Sequence, residues 1–468
     1  MKKLAKLLSG PVLFLLAILL IPTAAMPFAV KGALGTFLWM SAWWIFTPVD
    51  VAVTAFLPIV TNAIFGFVPL SAIIPQYAAD LVILLIGANM ITISWEATGL
   101  NKRIALGALS LIGPSMKQQI VVWFVGSTIM SIFLPNVVVG AALTPIAVAM
   151  LTNVGHADIG KSRAAANILL AVAWGSGLGG FGSPLGGGMN LVSINYIQEL
   201  TGVEYRYIDW VGKMMPMLVL ITLGVTIYMC FMKSEVKSLP GAREYFKEEY
   251  QKLGRMSRDE KVSLTVFLVS VVLAFARPLF ADLVPALTSS YVFIVFGILC
   301  FVLPGPVNGR LLTWKYASPR MSWGLFYTLA GGLALGTCIT KSGASDMVAA
   351  LVSNTGISGG ILLTALFIAL GMILSNVSSN NAACAISIPI VISITTALNL
   401  NPIPYIYLTS VAANCAFVLP TSTRALPVSY GVKPEYMMKT GLAAVGICFV
   451  IVLLFGTIFL NFWPYYAR

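Results

Sequence analysis

Between Lys439 and Arg468 the chain carries no charged side chain, and residues 441–463 read GLAAVGICFVIVLLFGTIFLNFW. A helix needs about 20 apolar residues to cross the hydrocarbon core of a bilayer. Comparable runs recur at roughly 11–30, 33–69 (two passes or one broken one), 79–98, 119–134, 164–182, 210–232, 263–283, 288–304, 323–340, 360–374 and 403–419. In lipid every backbone N–H and C=O must be satisfied within the protein, which leaves helices or a closed barrel. The runs are unbroken rather than alternating, so helices are expected. Composition agrees: 59% of residues are hydrophobic and 9% charged, too few charges to coat a soluble protein of 468 residues.

The formal net charge of +12 comes from 28 basic and 16 acidic residues. On a soluble chain this would point to nucleic acid. Here the basic residues sit in short connections between apolar runs, the footprint of cytoplasmic loops, and no nucleic-acid partner is expected. Lys2, Lys3 and Lys6 precede the first run, which places the N-terminus in the cytoplasm and the protein in the inner (plasma) membrane. A cleaved leader would begin similarly, but the run from Pro11 to Val30 leads straight into more membrane sequence and reads as a retained span. The six cysteines are scattered through apolar runs without metal-binding spacing and read as packing residues, and the lone His156 lies in a polar connection.

One long polar segment interrupts the apolar pattern, KSEVKSLPGAREYFKEEYQKLGRMSRDEK between Lys233 and Lys261, with eight basic and six acidic residues. It is too short to bury a core of its own and reads as a partly helical cytoplasmic connection dividing the chain in two. The halves share a pattern. Gly87 and Gly331, Gly99 and Gly343, Ser131 and Ser375, Asn136 and Asn380, and Pro145 and Pro389 are all separated by 244 residues. LPNVVVGAALTPI (134–146) and SSNNAACAISIPI (378–390) are thus one element used twice. They read as re-entrant hairpins or halves of broken helices. Such duplication is typical of secondary transporters, whose substrate sites lie between the repeats.

An Asn in an apolar segment with Pro nine residues on has a physical use. An unwound turn frees backbone groups, a cost in lipid but an asset around a polar cavity. The new helix N-terminus offers N–H groups and partial positive charge to an anion. Freed carbonyls and side-chain oxygens can hold a hard cation such as Na⁺. The competing reading makes Asn136 and Asn380 interhelical glue. A second irregular segment follows each motif: WGSGLGGFGSPLGGGMNL (174–191), with eight glycines, and NCAFVLPTSTRALPVSYG (414–431). The first allows backbone to approach backbone or ligand. In the second, Arg424 beside three hydroxyls either attracts an oxyanion or anchors the chain at the cytoplasmic interface. GHADIGKS (155–162) matches the phosphate-loop pattern but joins helical runs without a sheet, so no nucleotide is expected. Asp50 is the best candidate for a buried carboxylate, structural or proton-carrying.

On these residues the chain resembles the divalent anion:sodium symporter family. AWWIFTPVDVAVTAFLP (42–58), LIGANMITISWEATGLNKRIAL (85–106), the two Asn motifs and the two irregular segments fall where that family has its tryptophan pair, Gly-Leu-x-Lys-Arg segment, Ser-Asn-Thr hairpin tips and Thr-Pro-Pro-Asn-like loops. The resemblance implies an all-α polytopic membrane protein of about 11 spans. It also implies two inverted repeats with re-entrant hairpins, a scaffold, a moving transport domain of the elevator type, and a homodimer. The expected division is 1–78 (scaffold spans), 79–232 (first repeat, hairpin tip 135–137), 233–262 (linker), 263–322 (scaffold spans) and 323–468 (second repeat, tip 379–381). One or two Na⁺ sites are implied, one at Ser131, Asn136 and Gly186, the other at Ser375, Ser379, Asn380 and Ser422. The substrate would lie among Pro135, Asn136, Val137, Gly187, Ser379, Asn380, Asn381, Thr423 and Arg424.

The chain departs from the family pattern at those positions. The first tip reads Pro135-Asn136-Val137 and the second Ser379-Asn380-Asn381, while the loops read Gly187-Gly188-Met189-Asn190 and Thr423-Arg424-Ala425-Leu426. The expected function is Na⁺-coupled secondary transport of a small organic anion of the C4-dicarboxylate kind across the lipid bilayer. The alternatives are sulfate, sulfonate or another atypical anion, or Na⁺-independent exchange with Arg424 in place of a cation. An integral-membrane enzyme would need clustered His, Asp or Glu, and one His with scattered carboxylates argues against it.

Overall fold

The computed structural model describes residues 2–23, 25–110, 113–345, 347 and 359–467. Among these the architecture is helical, and the only β-type pairings are two isolated bridges, Ser115 with Ser238 and Val307 with Arg310. Among the described residues eight helices are long and apolar enough to cross a bilayer, and three shorter apolar helices accompany them. Large apolar side chains such as Leu19, Phe231, Val272 and Leu442 point outward, as a lipid-facing surface requires. The most deeply buried of these helices is Arg163–Gly182, exposed only at Arg163 and half-buried at Gly177.

Proline and capping chemistry set the boundaries. The first helix is Lys2–Leu20 rather than a span reaching Val30, because the chain breaks between Pro22 and Pro27 before Phe28–Phe46 begins. The 33–69 region divides into Phe28–Phe46, Val51–Thr54 and Leu57–Phe65. Asp50 caps the second of these by accepting the Ala52 N–H at 2.8 Å, and Gly66, with φ of 64°, ends the third. Asp50 is exposed, not buried as the sequence suggested, because the cap places it in the connection outside the helix.

The polar connection contains the amphipathic helix Ala242–Lys252, whose Ala242 and Phe246 are buried, the latter edge-on to Trp123. Arg103 fastens its end, donating to the Leu253, Gly254 and Arg255 carbonyls and to Glu260 at 2.7 Å.

Two helical hairpins dominate the interior, Met116–Phe133 with Asn136–Asn153 and Ile361–Val377 with Asn380–Ala397. Three of the four boundaries of the second follow from the first by the 244-residue shift already present in the sequence, and the fourth differs by one residue. A broken helix accompanies each. The first runs Arg163–Gly179, passes through two 3-10 turns over 180–186, and resumes as Gly188–Thr201. The second runs Pro402–Asn414, unwinds over 415–421, and resumes through a 3-10 turn into Ala425–Ser429.

Candidate functional site

The hairpin tips are short because the residues there cannot continue a helix. Pro135 has no N–H, so the Ser131 carbonyl, four residues back, loses its helical donor. Side chains close each tip, but only the second of the new helices has a side-chain cap. The Asn136 amide oxygen accepts the Val137 N–H at 2.8 Å, and the Ser379 hydroxyl accepts the Ala382 N–H at 3.2 Å.

The broken helices are held open by side-chain amides. Asn190 donates to the Gly180 and Ser183 carbonyls, both at 2.7 Å, while its own oxygen is buried without a partner. Ser183 in turn donates to the Ile132 carbonyl, tying the first break to the first hairpin. In the other half Asn376 accepts the Phe417 and Val418 N–H groups, at 3.2 and 2.9 Å. Asn380 donates to the Asn414 amide oxygen at 3.3 Å, and Asn414 donates to the Ser410 carbonyl.

The two tips and the first break meet in one cavity of about 340 Å³, within the size range of small-molecule sites. Pro135, Asn136 and Val137 come from the first tip, Ser379, Asn380 and Asn381 from the second, and Gly187 from the break. The helices starting at Asn136, Gly188 and Asn380 therefore present their N-termini to one space. First-turn N–H groups lack intrahelical acceptors and carry partial positive charge, which suits an anion. Apolar wall comes from Val51, Val137 and Leu325, and hydroxyls from Ser322, Thr328 and Ser379. Ser322 is fixed by Asn89, whose amide oxygen accepts its N–H at 2.9 Å. Among the described residues, Asp50 is the only charged one of the lining. The Asn381 amide oxygen is buried without a hydrogen-bond partner.

Ser131, Asn136 and Gly186 also come together, and Gly180 joins them. A methyl carbon placed on Gly186 would lie 2.2 Å from the Gly180 carbonyl oxygen and 2.8 Å from that of Ser131. One on Gly180 would lie 3.2 Å from the Gly186 carbonyl oxygen and 3.6 Å from the Asn136 Cβ. The Ser131 hydroxyl donates to the Ser176 carbonyl at 2.6 Å. Backbone oxygens thus crowd one spot, an arrangement that suits a hard cation. Among the described residues no group of three or more His, Cys, Asp or Glu forms a metal site, so these oxygens are neutral.

Thr423 and Arg424 do not line the cavity. Thr423 is buried near Gly140 and Gly177. Arg424, 3% exposed, turns its guanidinium onto main-chain carbonyls at the second break, those of Ser375 and Ala416 among them. The Ser375 hydroxyl donates to the Met372 carbonyl at 3.1 Å, and the Ser422 side chain lies outside the described residues. In the GHADIGKS loop, Ser162 caps the following helix and Glu235 accepts the Ser162 hydroxyl and the Ala164 N–H. A carboxylate therefore occupies the helix N-terminus that a phosphate would need. Burial raises the Glu235 pKa, but these hydrogen bonds outweigh it and hold the carboxyl below its ordinary value.

Sequence reading missed Ser322, Thr328, Gly180 and the amides Asn89, Asn376 and Asn414. The last two flank the second break, Asn376 just beyond the run ending at 374 and Asn414 at the start of the irregular segment 414–431, and could have been singled out by that position. Isolated hydroxyls in an apolar helix carry no such mark.

The family described as sodium:sulfate symporter transmembrane region matches residues 1–466. The sodium-dependent dicarboxylate transporter SdcS of Staphylococcus aureus strain USA300 is 25% identical over 442 residues, covering 91% of this chain and 84% of that protein. The same transporter from the bovine strain RF122 / ET3-1 is 26% identical with the same coverage. With a family match along essentially its whole length, the chain belongs to the sodium:sulfate symporter family and is a multi-pass, sodium-coupled anion transporter rather than an enzyme.

Proposed function

We propose that this transporter carries small organic anions of the C4-dicarboxylate kind into the cell together with Na⁺. The observation that carries this reading is the cavity on which three helix N-termini converge between the two hairpin tips. Asn136 and Asn380 each present an amide beside the substrate, Ser379 and Asn381 complete the second tip, and Pro135, Val137 and Gly187 shape the first. The apolar wall of Val51, Val137 and Leu325 favours an anion with a hydrocarbon body over fully hydrated sulfate. The names of the Staphylococcus aureus relatives support both the Na⁺ and the dicarboxylate.

Na⁺ binds at the first break among the Ser131, Gly180 and Gly186 carbonyls and the Asn136 amide. Its charge there offsets that of the anion beside Asn136, so each favours binding of the other. Thr423 and Arg424 stand behind the second tip and act on its frame. The repeats are inverted, and the hairpins with their broken helices, within 79–232 and 323–468, move as a transport domain against the scaffold segments 1–78 and 263–322. The protein works as a homodimer in the inner membrane with its N-terminus in the cytoplasm.

A second reading, a monoanionic amphipathic substrate, is favoured by Asp50 on the cavity lining and by the lack of any Lys or Arg among the described lining residues. Purified protein in liposomes with an inward Na⁺ gradient, screened with labelled succinate, sulfate and a monocarboxylate, decides between them. Accumulation of labelled succinate above that of the other anions, and its loss when choline replaces Na⁺, is the expected result. Absence of Na⁺-driven uptake of every anion in the panel would overturn the proposal.

A further inference from the structure

The side chain of Arg424 is buried, yet among the described residues no carboxylate lies within ion-pair distance of it. Main-chain oxygens take that place. Nε donates to the Thr421 carbonyl at 3.2 Å, and one terminal nitrogen donates to the Ala416 carbonyl at 2.9 Å. The other terminal nitrogen donates to the Ser375 carbonyl at 2.8 Å, to the Ser378 carbonyl at 3.3 Å and to the Thr421 hydroxyl. A buried charge without such partners is strongly unfavourable, so the guanidinium and the oxygen cage stabilise each other.

These oxygens belong to particular backbone positions. Ser375 and Ser378 lie at the end of the first helix of the second hairpin, and Ala416 and Thr421 lie in the unwound stretch of the second broken helix. In the first half, Ser131 precedes Ser375 by the 244-residue repeat, and its carbonyl likewise faces an unwound stretch, with the Gly180 and Gly186 carbonyls beside it. The two halves thus build the same feature, a hairpin-end carbonyl facing the carbonyls of a broken helix. The first break resumes its helix through three consecutive glycines, Gly186 to Gly188, which supply no charge. The second resumes through Thr423 and Arg424.

We propose that Arg424 is a resident cation at the second of two equivalent cation positions, so that the transporter couples its anion to Na⁺ at the first break alone. The inference rests on the Na⁺-coupled reading above and fixes its stoichiometry. A guanidinium stays protonated at any physiological pH and cannot leave its tether. It therefore holds the second tip in shape without drawing on the Na⁺ gradient. Its donors are spent on the cage, which also accounts for its absence from the substrate cavity.

The test counts Na⁺ without requiring transport. Purified protein in detergent is melted across a Na⁺ series at constant ionic strength, with choline as the balancing cation, and uptake is titrated with Na⁺ in liposomes in parallel. A ligand that binds only the folded state stabilises it in proportion to the logarithm of its concentration once above Kd, with a slope set by the number of sites. The wild type is expected to show the slope of one site and a Hill coefficient of about one. R424A, which leaves the cage without its cation, is expected to show two sites and a Hill coefficient approaching two, while R424K keeps the value of one. A wild-type protein with two Na⁺ sites overturns the proposal, and so does a folded R424A that still binds one. Should R424A fail to fold, the wild-type slope decides alone, one site supporting the proposal and two refuting it. Failure of wild-type uptake for every labelled anion would count against the transport reading, while the melting series would still report the number of sites.

Discussion

Replacing Gly186 by alanine tests the first cation site directly. The added methyl would stand 2.2 Å from the Gly180 carbonyl oxygen, 2.8 Å from the carbonyl carbon of Gly180 and 2.8 Å from the Ser131 carbonyl oxygen. Ordinary contact begins near 3.4 Å, so one or both carbonyls must retreat by about 1 Å. Metal–oxygen distances tolerate only about 0.2 Å, so a displacement of this size removes a ligand. A polar contact to a charged group contributes about 1.5–3 kcal/mol. Its loss should therefore raise the half-saturating Na⁺ concentration by roughly ten- to a hundredfold. The assay is labelled-anion uptake into liposomes across a Na⁺ titration, with melting in detergent as a check on folding. Gly177→Ala is the control from the same glycine run, because its methyl would stand 3.9 Å from the Thr423 hydroxyl in ordinary contact. It should leave the Na⁺ dependence within about twofold, since only an unstrained contact is added. A folded G186A protein whose Na⁺ dependence matches that of G177A would refute the site.

Asn136→Ala and Asn380→Ala should each abolish uptake while leaving the protein folded in detergent; normal uptake by either would remove the tips from the substrate site. Gly179→Ala puts a methyl 2.1 Å from the Thr128 carbonyl oxygen, at the packing of the first hairpin on the first broken helix. It should lower the melting temperature and yield, but the surviving protein should keep its wild-type Na⁺ dependence, which separates a packing glycine from a ligand-site glycine. Asp50→Asn keeps the cap on Ala52 while removing the one charge among the described residues of the cavity lining. Anion affinity should rise by about two- to fivefold at low ionic strength, the size of one repulsion across water at 4–8 Å, and the gain should shrink in high salt.

How much of this was legible in the sequence differs from residue to residue. The hairpins were, because Pro135, Ser379 and the two Asn residues act through their own backbone and side-chain chemistry, and the 244-residue spacing carried over to the helix boundaries. The meeting of the two tips with Gly187 came from the family resemblance rather than from the residues themselves, and the same resemblance put Thr423 there, which does not line the cavity. Gly180 was not legible, because what it contributes is a carbonyl oxygen, and every residue in the chain has one. Ser322 and Thr328 reach the cavity only because the helix Trp323–Lys341 packs against the second hairpin, a tertiary fact with no local signature. Asp50 misled for a related reason: a carboxylate among apolar neighbours looks buried until its capping bond places it outside the helix.

Arg424 shows where the boundary lies. From sequence its position beside a helix break leaves three readings open: a partner for an oxyanion, an anchor at the cytoplasmic interface, or a stand-in for a cation. The structure gives it carbonyl partners, because a helix break exposes carbonyl oxygens as well as N–H groups, and the two face opposite ways along the axis. The N-terminus of the resumed helix suits an anion, while the C-terminus of the interrupted one suits a cation. A guanidinium three residues beyond Thr421 is within reach of the second kind of end, where its nitrogens meet the Ser375, Ser378, Ala416 and Thr421 carbonyls and the Thr421 hydroxyl. In the sites proposed above, the same polarity sets Na⁺ and substrate side by side at the first break, with the cation on the carbonyl side and the anion on the N–H side. Coupling then needs no pathway between distant sites, since both ligands order the same unwound turn and each lowers the cost of ordering it for the other.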